Sequence, residues 1–150
     1  MSLKDRLVED MKAAMKAKEE GKVRLSVIRL ARAAIKNSEI DKRQEFSDEQ
    51  VIDILAREVK MRRDAIEEFA KAARPDKVEA LQGEIAILME YLPQQLSEGE
   101  IRQMVQEIIS EVGAQNPKDI GKVMGVLAPR TKGLADGKQV NLIVREFLGS

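Results

Sequence analysis

The chain has 150 residues and balances 26 Lys and Arg against 26 Asp and Glu, for a formal net charge of zero. It contains neither cysteine nor histidine, which excludes disulfides, thiolate metal sites, the commonest zinc ligand and every Ser-His or Cys-His nucleophile. Its length suits one domain or two small ones with a core that needs no staples. With no long apolar run and no signal-peptide pattern, it is expected to be cytoplasmic, with no membrane association.

Apolar residues recur at helical spacing from the start of the chain. The first helix is expected from about Leu3 to Glu19, with Leu3, Leu7, Met11 and Ala14 on one face and Gly21 as the interruption. The second runs from about Lys22 to Glu39 and buries Val23, Val27, Ile28, Ala31, Ala34 and Ile35. Asp41 to Phe46 is polar and reads as a loop. Ser47 followed by Gln50 is a capping box that opens a third helix reaching about Ala73. Its inward stripe is Val51, Leu55, Val59, Ile66 and Phe69. Pro75 ends that helix or starts the next, which runs from Asp76 to about Tyr91 with Val78, Leu81, Ile85, Leu88 and Met89 inward.

Leu92 to Leu96 breaks the pattern, and Ser97 with Glu100 is a second capping box. A domain boundary is therefore expected between residues 94 and 95, giving domains 1–94 and 95–150. The fifth helix covers Glu98 to Val112 and stops at Gly113, a residue suited to the left-handed position after a helix. Asn116-Pro117 opens a sixth helix that Pro129 ends. Asp136 caps a seventh through about Leu148, burying Val140, Ile143, Val144 and Phe147. No segment alternates as a strand would, so the fold class is all-α: about four helices, then a three-helix domain.

Charge is segregated along this framework. From Asp76 to Glu111, eight acidic residues face only Lys77 and Arg102; from Gly113 onward, six basic residues face three acidic ones. Local patches set binding, so a neutral total is compatible with a polyanionic partner, though it argues against tight indiscriminate nucleic-acid binding. On the second helix Arg29, Arg32 and Lys36 lie opposite the apolar stripe. They form either a phosphate-gripping face or an ordinary solvated one. Arg24, Glu58 and Arg62 fall within inward stripes, where an unpaired charge costs about 3 kcal/mol or more. They are expected to form one buried polar network between the second and third helices. The scattered acidic residues show no EF-hand spacing, so no metal site is expected.

Five of the nine glycines fall between Gly113 and Val140. Gly121 and Gly125, four apart, suggest close helix packing. The segment is not a P-loop, which needs a different spacing after a strand. Arg130-Thr131-Lys132-Gly133 leads to the start of the last helix, and helix N-termini favour anions. Arg130, Lys132 and Lys138 are thus placed to meet phosphate, or else the segment is a tight connection whose glycines serve packing alone.

Five stretches together identify the chain as resembling the YqeY family of small bacterial proteins. They are LKDRLVEDMKAAMKAK from Leu3, VRLSVIRL from Val23, REVKMRRDAIEEF from Arg57, YLPQQLS from Tyr91, and GKVMG from Gly121 with KGLADGKQVN from Lys132. That family is similar to the helical tail of the glutamine-dependent aminoacyl-tRNA amidotransferase, most clearly over Gly121 to Leu148. The resemblance implies an all-helical protein with a C-terminal three-helix domain, and a tail that helps hold tRNA while amide transfer occurs elsewhere. The positions that match the tail are Gly121, Lys122, Gly125, Lys132, Gly133, Ala135 and Val140. Through them the resemblance implies geometry from the glycines and Ala135 and phosphate contact from Lys122 and Lys132. The chain departs from the tail at Asp136-Gly137, where an Asn-Pro-like pair is usual, and at Pro129.

The reading that results is a non-catalytic protein with no cofactor, binding tRNA or accompanying a translation-related protein. Lys122, Arg130, Lys132 and Lys138 are its phosphate contacts, with Arg29, Arg32 and Lys36 as a second patch. Two alternatives stand beside it. One is an adaptor docking a helical partner through the acidic middle helices or a groove near Arg24. The other is an accessory part of a carbon-nitrogen ligase using glutamine as amido-N donor, with the active site elsewhere.

Overall fold

Helix α1, Leu3–Lys16, begins where Ser2 accepts a hydrogen bond from the Asp5 N–H and Asp5 reciprocates to Ser2. The same device starts α3 and α5 at the two places where the sequence shows it. The coordinates are a computed structural model that describes residues 1–149. Among these residues there are seven α-helices and no strand. The chain separates into two compact units, one spanning Met1–Leu92 and the other starting at Pro93.

In the first unit α1 is followed by a 3₁₀ turn at Lys18–Gly21, then α2 (Lys22–Lys42), α3 (Asp48–Lys71) and α4 (Pro75–Met89). The first helix stops at Lys16, short of the expected Glu19, and Lys18 adopts a positive φ of 54°. The cause is the tight corner at Gly21. A Cβ there would lie 2.1 Å from the Ala14 carbonyl oxygen, so only glycine lets the end of α1 and the start of α2 approach this closely. At its other end α2 continues three residues past Glu39 into the expected loop and closes on Arg43 at φ 53°. The Glu39 carboxylate accepts from the Phe46 N–H at 2.7 Å and so folds the following segment back onto the helix end. The core gathers Leu7 from α1, Val27, Ile28 and Ile35 from α2, Val51, Leu55 and Val59 from α3, Leu88 from α4, and Tyr91. It also takes Ile54, which lies outside the expected inward stripe. Replacing one such fully buried leucine by alanine costs about 2–5 kcal/mol.

In the second unit α5 (Glu98–Val112) ends at Gly113 with φ 69°. Asn116 caps a 3₁₀ turn, Pro117–Asp119, and α6 (Ile120–Thr131) begins only after it, three residues later than expected. Nor does Pro129 end α6, which runs on to Thr131. A proline this near the C-terminus removes one hydrogen bond, to the carbonyl of residue 125. That residue is an exposed glycine, where water can satisfy the carbonyl. Helix α7 (Gly137–Leu148) is capped by Asp136. Its Val140, Ile143 and Val144 close a core with Ile101, Val105 and Ile108 of α5 and Val123 and Leu127 of α6.

Two residues expected in these cores stand outside them. Val23 is 57% and Phe147 41% exposed. Val23 lies at the edge of its stripe in the first turn of α2. In the last turn of α7, Leu148 takes the buried place instead. Ile66, Phe69, Val78 and Leu81 are half-buried.

Candidate nucleic-acid interface

The basic residues of the second unit are arranged around the α6–α7 turn. Arg130 lies in the last turn of α6, Lys132 is its C-cap, and Lys138 is in the first turn of α7; all three are exposed. Gly133 turns the chain at φ 77°, a conformation that suits glycine. Short hydrogen bonds pin the turn. The N–H groups of Leu134 and Ala135 donate to the Thr131 carbonyl at 2.8 and 3.0 Å. Gln95 Nε2 donates to the Gly133 carbonyl at 2.9 Å, and the Leu96 N–H donates to the Leu134 carbonyl at 2.8 Å. Ala135 packs against the core of the unit.

Three expectations for this segment need correcting. Lys122 does not join the other cations. It sits at the opposite end of α6, about 12 Å along the axis from Arg130, and its charge helps hold the Asp119 carboxyl below its usual range, after hydrogen bonding from the Gln115 N–H. The N-terminus of α7 is no ready anion site, because the Asp136 carboxylate already accepts from the Lys138 N–H at 3.1 Å. Gly121 and Gly125 mark no close packing: a Cβ at either position would meet nothing within 4 Å.

The second patch is placed quite differently. Arg29, Arg32 and Lys36 are exposed along one edge of α2. They border a groove of about 380 Å³ whose other wall is α1, with Lys4, Leu7 and Val8. Arg32 Nη1 donates to Met11 Sδ at 3.2 Å, which ties its stem toward α1. Lys4 extends the cationic border, and no local pattern in the sequence signals this, because it is brought in from another helix. The one acid in the lining, Glu39, accepts from Lys4 Nζ at 2.7 Å and from the Phe46 N–H at 2.7 Å. The Lys4 ammonium, and then the Phe46 N–H, hold the Glu39 carboxyl below its ordinary range; the Lys4 ammonium is correspondingly raised.

The expected network of Arg24, Glu58 and Arg62 is two separate clusters. Arg62 is 8% exposed. Its Nε donates to Glu84 at 3.0 Å, and its Nη1 donates to the Glu58 side chain at 3.3 Å and the Glu58 carbonyl at 3.0 Å. Arg24 instead pairs with both oxygens of Glu90, at 3.1 and 2.8 Å. The division follows from where the helices meet. Arg62 is late in α3, against the middle of α4, whereas Arg24 is in the first turn of α2, near the residue that follows α4. Beside Arg24, the Tyr91 hydroxyl donates to Asp10 and Arg6 lies 5.0 Å from the Tyr91 ring centre. Burial, and then the Asp10 carboxylate, push the Tyr91 phenol well above its ordinary range.

Among the described residues no three metal-binding side chains come together, and no helix is long and apolar enough to cross a membrane.

Comparison with known proteins places these features in a family context. A family model described as Yqey-like protein matches residues 4–148. The chain is 36% identical to altered inheritance of mitochondria protein 41, mitochondrial, of Lachancea thermotolerans, over 94% of this chain and 79% of that one. The protein of the same name in Kluyveromyces lactis is 37% identical over 74% of this chain and 60% of its own length. That of Pyrenophora tritici-repentis is 29% identical over 97% and 80%. These names correct the expected plain cytoplasmic localisation, since all three relatives are named as mitochondrial. They also lend no support to a bacterial origin, and none of them mentions RNA or an amidotransferase.

Proposed function

The chain belongs to the Yqey-like protein family, and on that premise we propose that it is a non-catalytic accessory protein that contacts tRNA through the basic side chains around the α6–α7 turn. The observation that carries this reading is the placement of Arg130, Lys132 and Lys138, all exposed, around one turn held by backbone hydrogen bonds. Cations on a fixed frame meet a phosphate backbone with less ordering cost than cations on a loose loop. Lys122, two to three turns away on α6, is a separate contact that lengthens the footprint. The resemblance of this segment to the amidotransferase tail, read from the sequence alone, suggests tRNA as the ligand.

Titration of tRNA at rising salt tests the reading. Binding should be about micromolar or tighter at low salt and fall steeply as salt rises. Replacing both Lys122 and Lys132 by Ala should reduce the salt slope by about 2, near 0.9 per lost phosphate contact, with helicity unchanged by circular dichroism. If the unaltered protein retains tRNA no better than an unrelated neutral protein does, the reading is wrong.

A further inference from the structure

On α2, Arg29, Arg32 and Lys36 are spaced i, i+3 and i+7, so they rise along about 10 Å of one helix edge. Taken alone, that is an ordinary solvated face. The structure adds three things. The edge borders a concave groove whose opposite wall carries Lys4, itself paired with Glu39 at 2.7 Å. The acid in the lining, Glu39, accepts from Lys4 and the Phe46 N–H through Oε2, each at 2.7 Å, so that Lys4 offsets its charge. Among the described residues no aromatic side chain lines the groove.

These features select among ligands. Leu7 and Ile35 in the lining are already buried to 1% and 3% exposure, so neither adds much to an apolar contact there. The volume of about 380 Å³ lies near the lower end of small-ligand pockets, about 300–1,000 Å³. A linear row of cations suits charges that repeat along a chain. Without an aromatic platform, backbone phosphate is the main feature such a row of cations holds.

We propose that the α1–α2 groove is a second, separate nucleic-acid site that seats successive phosphates of a single-stranded RNA backbone on Arg29, Arg32 and Lys36, without base preference. The inference takes RNA as the ligand from the reading above, but it places contact on a different unit of the chain.

The test uses the full chain with short labelled single-stranded RNAs, oligo-A and oligo-U, followed by fluorescence anisotropy across a salt series. The two should bind alike. The variant Arg29→Ala/Arg32→Ala/Lys36→Ala should lower the salt slope by about 2, near 0.7 for each of three phosphates, and weaken binding about a hundredfold at low salt. Arg29→Lys/Arg32→Lys should retain most of the affinity, which separates lost charge from lost fold. Lys122→Ala/Lys132→Ala should leave short-strand binding unchanged. The proposal is overturned if the triple alanine variant binds the oligomers as the unaltered chain does. Strong preference for one base would also overturn it, as would capture of inorganic tripolyphosphate without capture of the oligomers. If Lys122 and Lys132 alone govern tRNA binding and the groove variants change nothing, this site fails and the α6–α7 reading stands. If the groove variants alone abolish binding, the α6–α7 reading fails and this site stands. Absence of binding to both RNAs sinks both.

Discussion

The α6–α7 turn and the α1–α2 groove carry similar numbers of cations, yet they are built in opposite ways. At the turn the cations are close in sequence, and the backbone holds them through its own hydrogen bonds to Thr131 and Gln95. At the groove they come from two helices, and the site exists only because α1 and α2 pack closely. The turn needs one backbone segment to keep its shape, whereas the groove fails when either of its two walls moves.

Gly21→Ala should break this comparison most strongly. The added methyl has nowhere to go, with the Ala14 carbonyl oxygen 2.1 Å away. The cost should be about 3 kcal/mol or more. Amide exchange in α1 and α2 should quicken and oligomer binding at the groove should fall, with α6 and α7 protected as before. Uniform quickening across all seven helices would contradict this assignment.

Gly133→Ala is the counterpart for the turn. It places a side chain at φ 77°, for about 1–2 kcal/mol. The denaturant midpoint should drop and tRNA binding should weaken, while short-strand binding at the groove holds. Unchanged stability would mean that the turn tolerates a side chain.

The smallest effect is electrostatic. Glu39 has its folded pKa below the ordinary 4.5, chiefly through the Lys4 hydrogen bond. Its contribution to stability is therefore present above pH 4.5 and lost as pH falls through the depressed folded value. Glu39→Gln should flatten that part of the pH dependence of the urea midpoint. It should also tighten RNA binding at the groove slightly, by removing the only acid there. An unaltered acid limb would remove Glu39 from the account.

Much of the fold is legible in the sequence, and the reason is local. Ser47 with Gln50 and Ser97 with Glu100 announce their helices because both partners of each capping bond lie within one turn. Gly113 terminates α5 because left-handed backbone is a property of a single residue. Pro129 misleads as a terminator because its cost depends on how much helix remains after it. Gly121 and Gly125 mislead because identical spacing occurs on packed and open helix faces. The corner at Gly21 and the fourth cation at Lys4 are out of reach, since each depends on a residue that only packing brings near.

The sequence by itself determined that this protein is all-helical, where most helices begin, which stripes face inward and where charge of each sign collects. Those properties follow from neighbours within one turn. Only the tertiary structure decided which charges meet across helices: Arg62 with Glu84, Arg24 with Glu90, and Lys4 with Glu39 across from Arg29, Arg32 and Lys36. A charge's partner lies across a helix interface, and the register of that interface is set by how whole apolar stripes interlock.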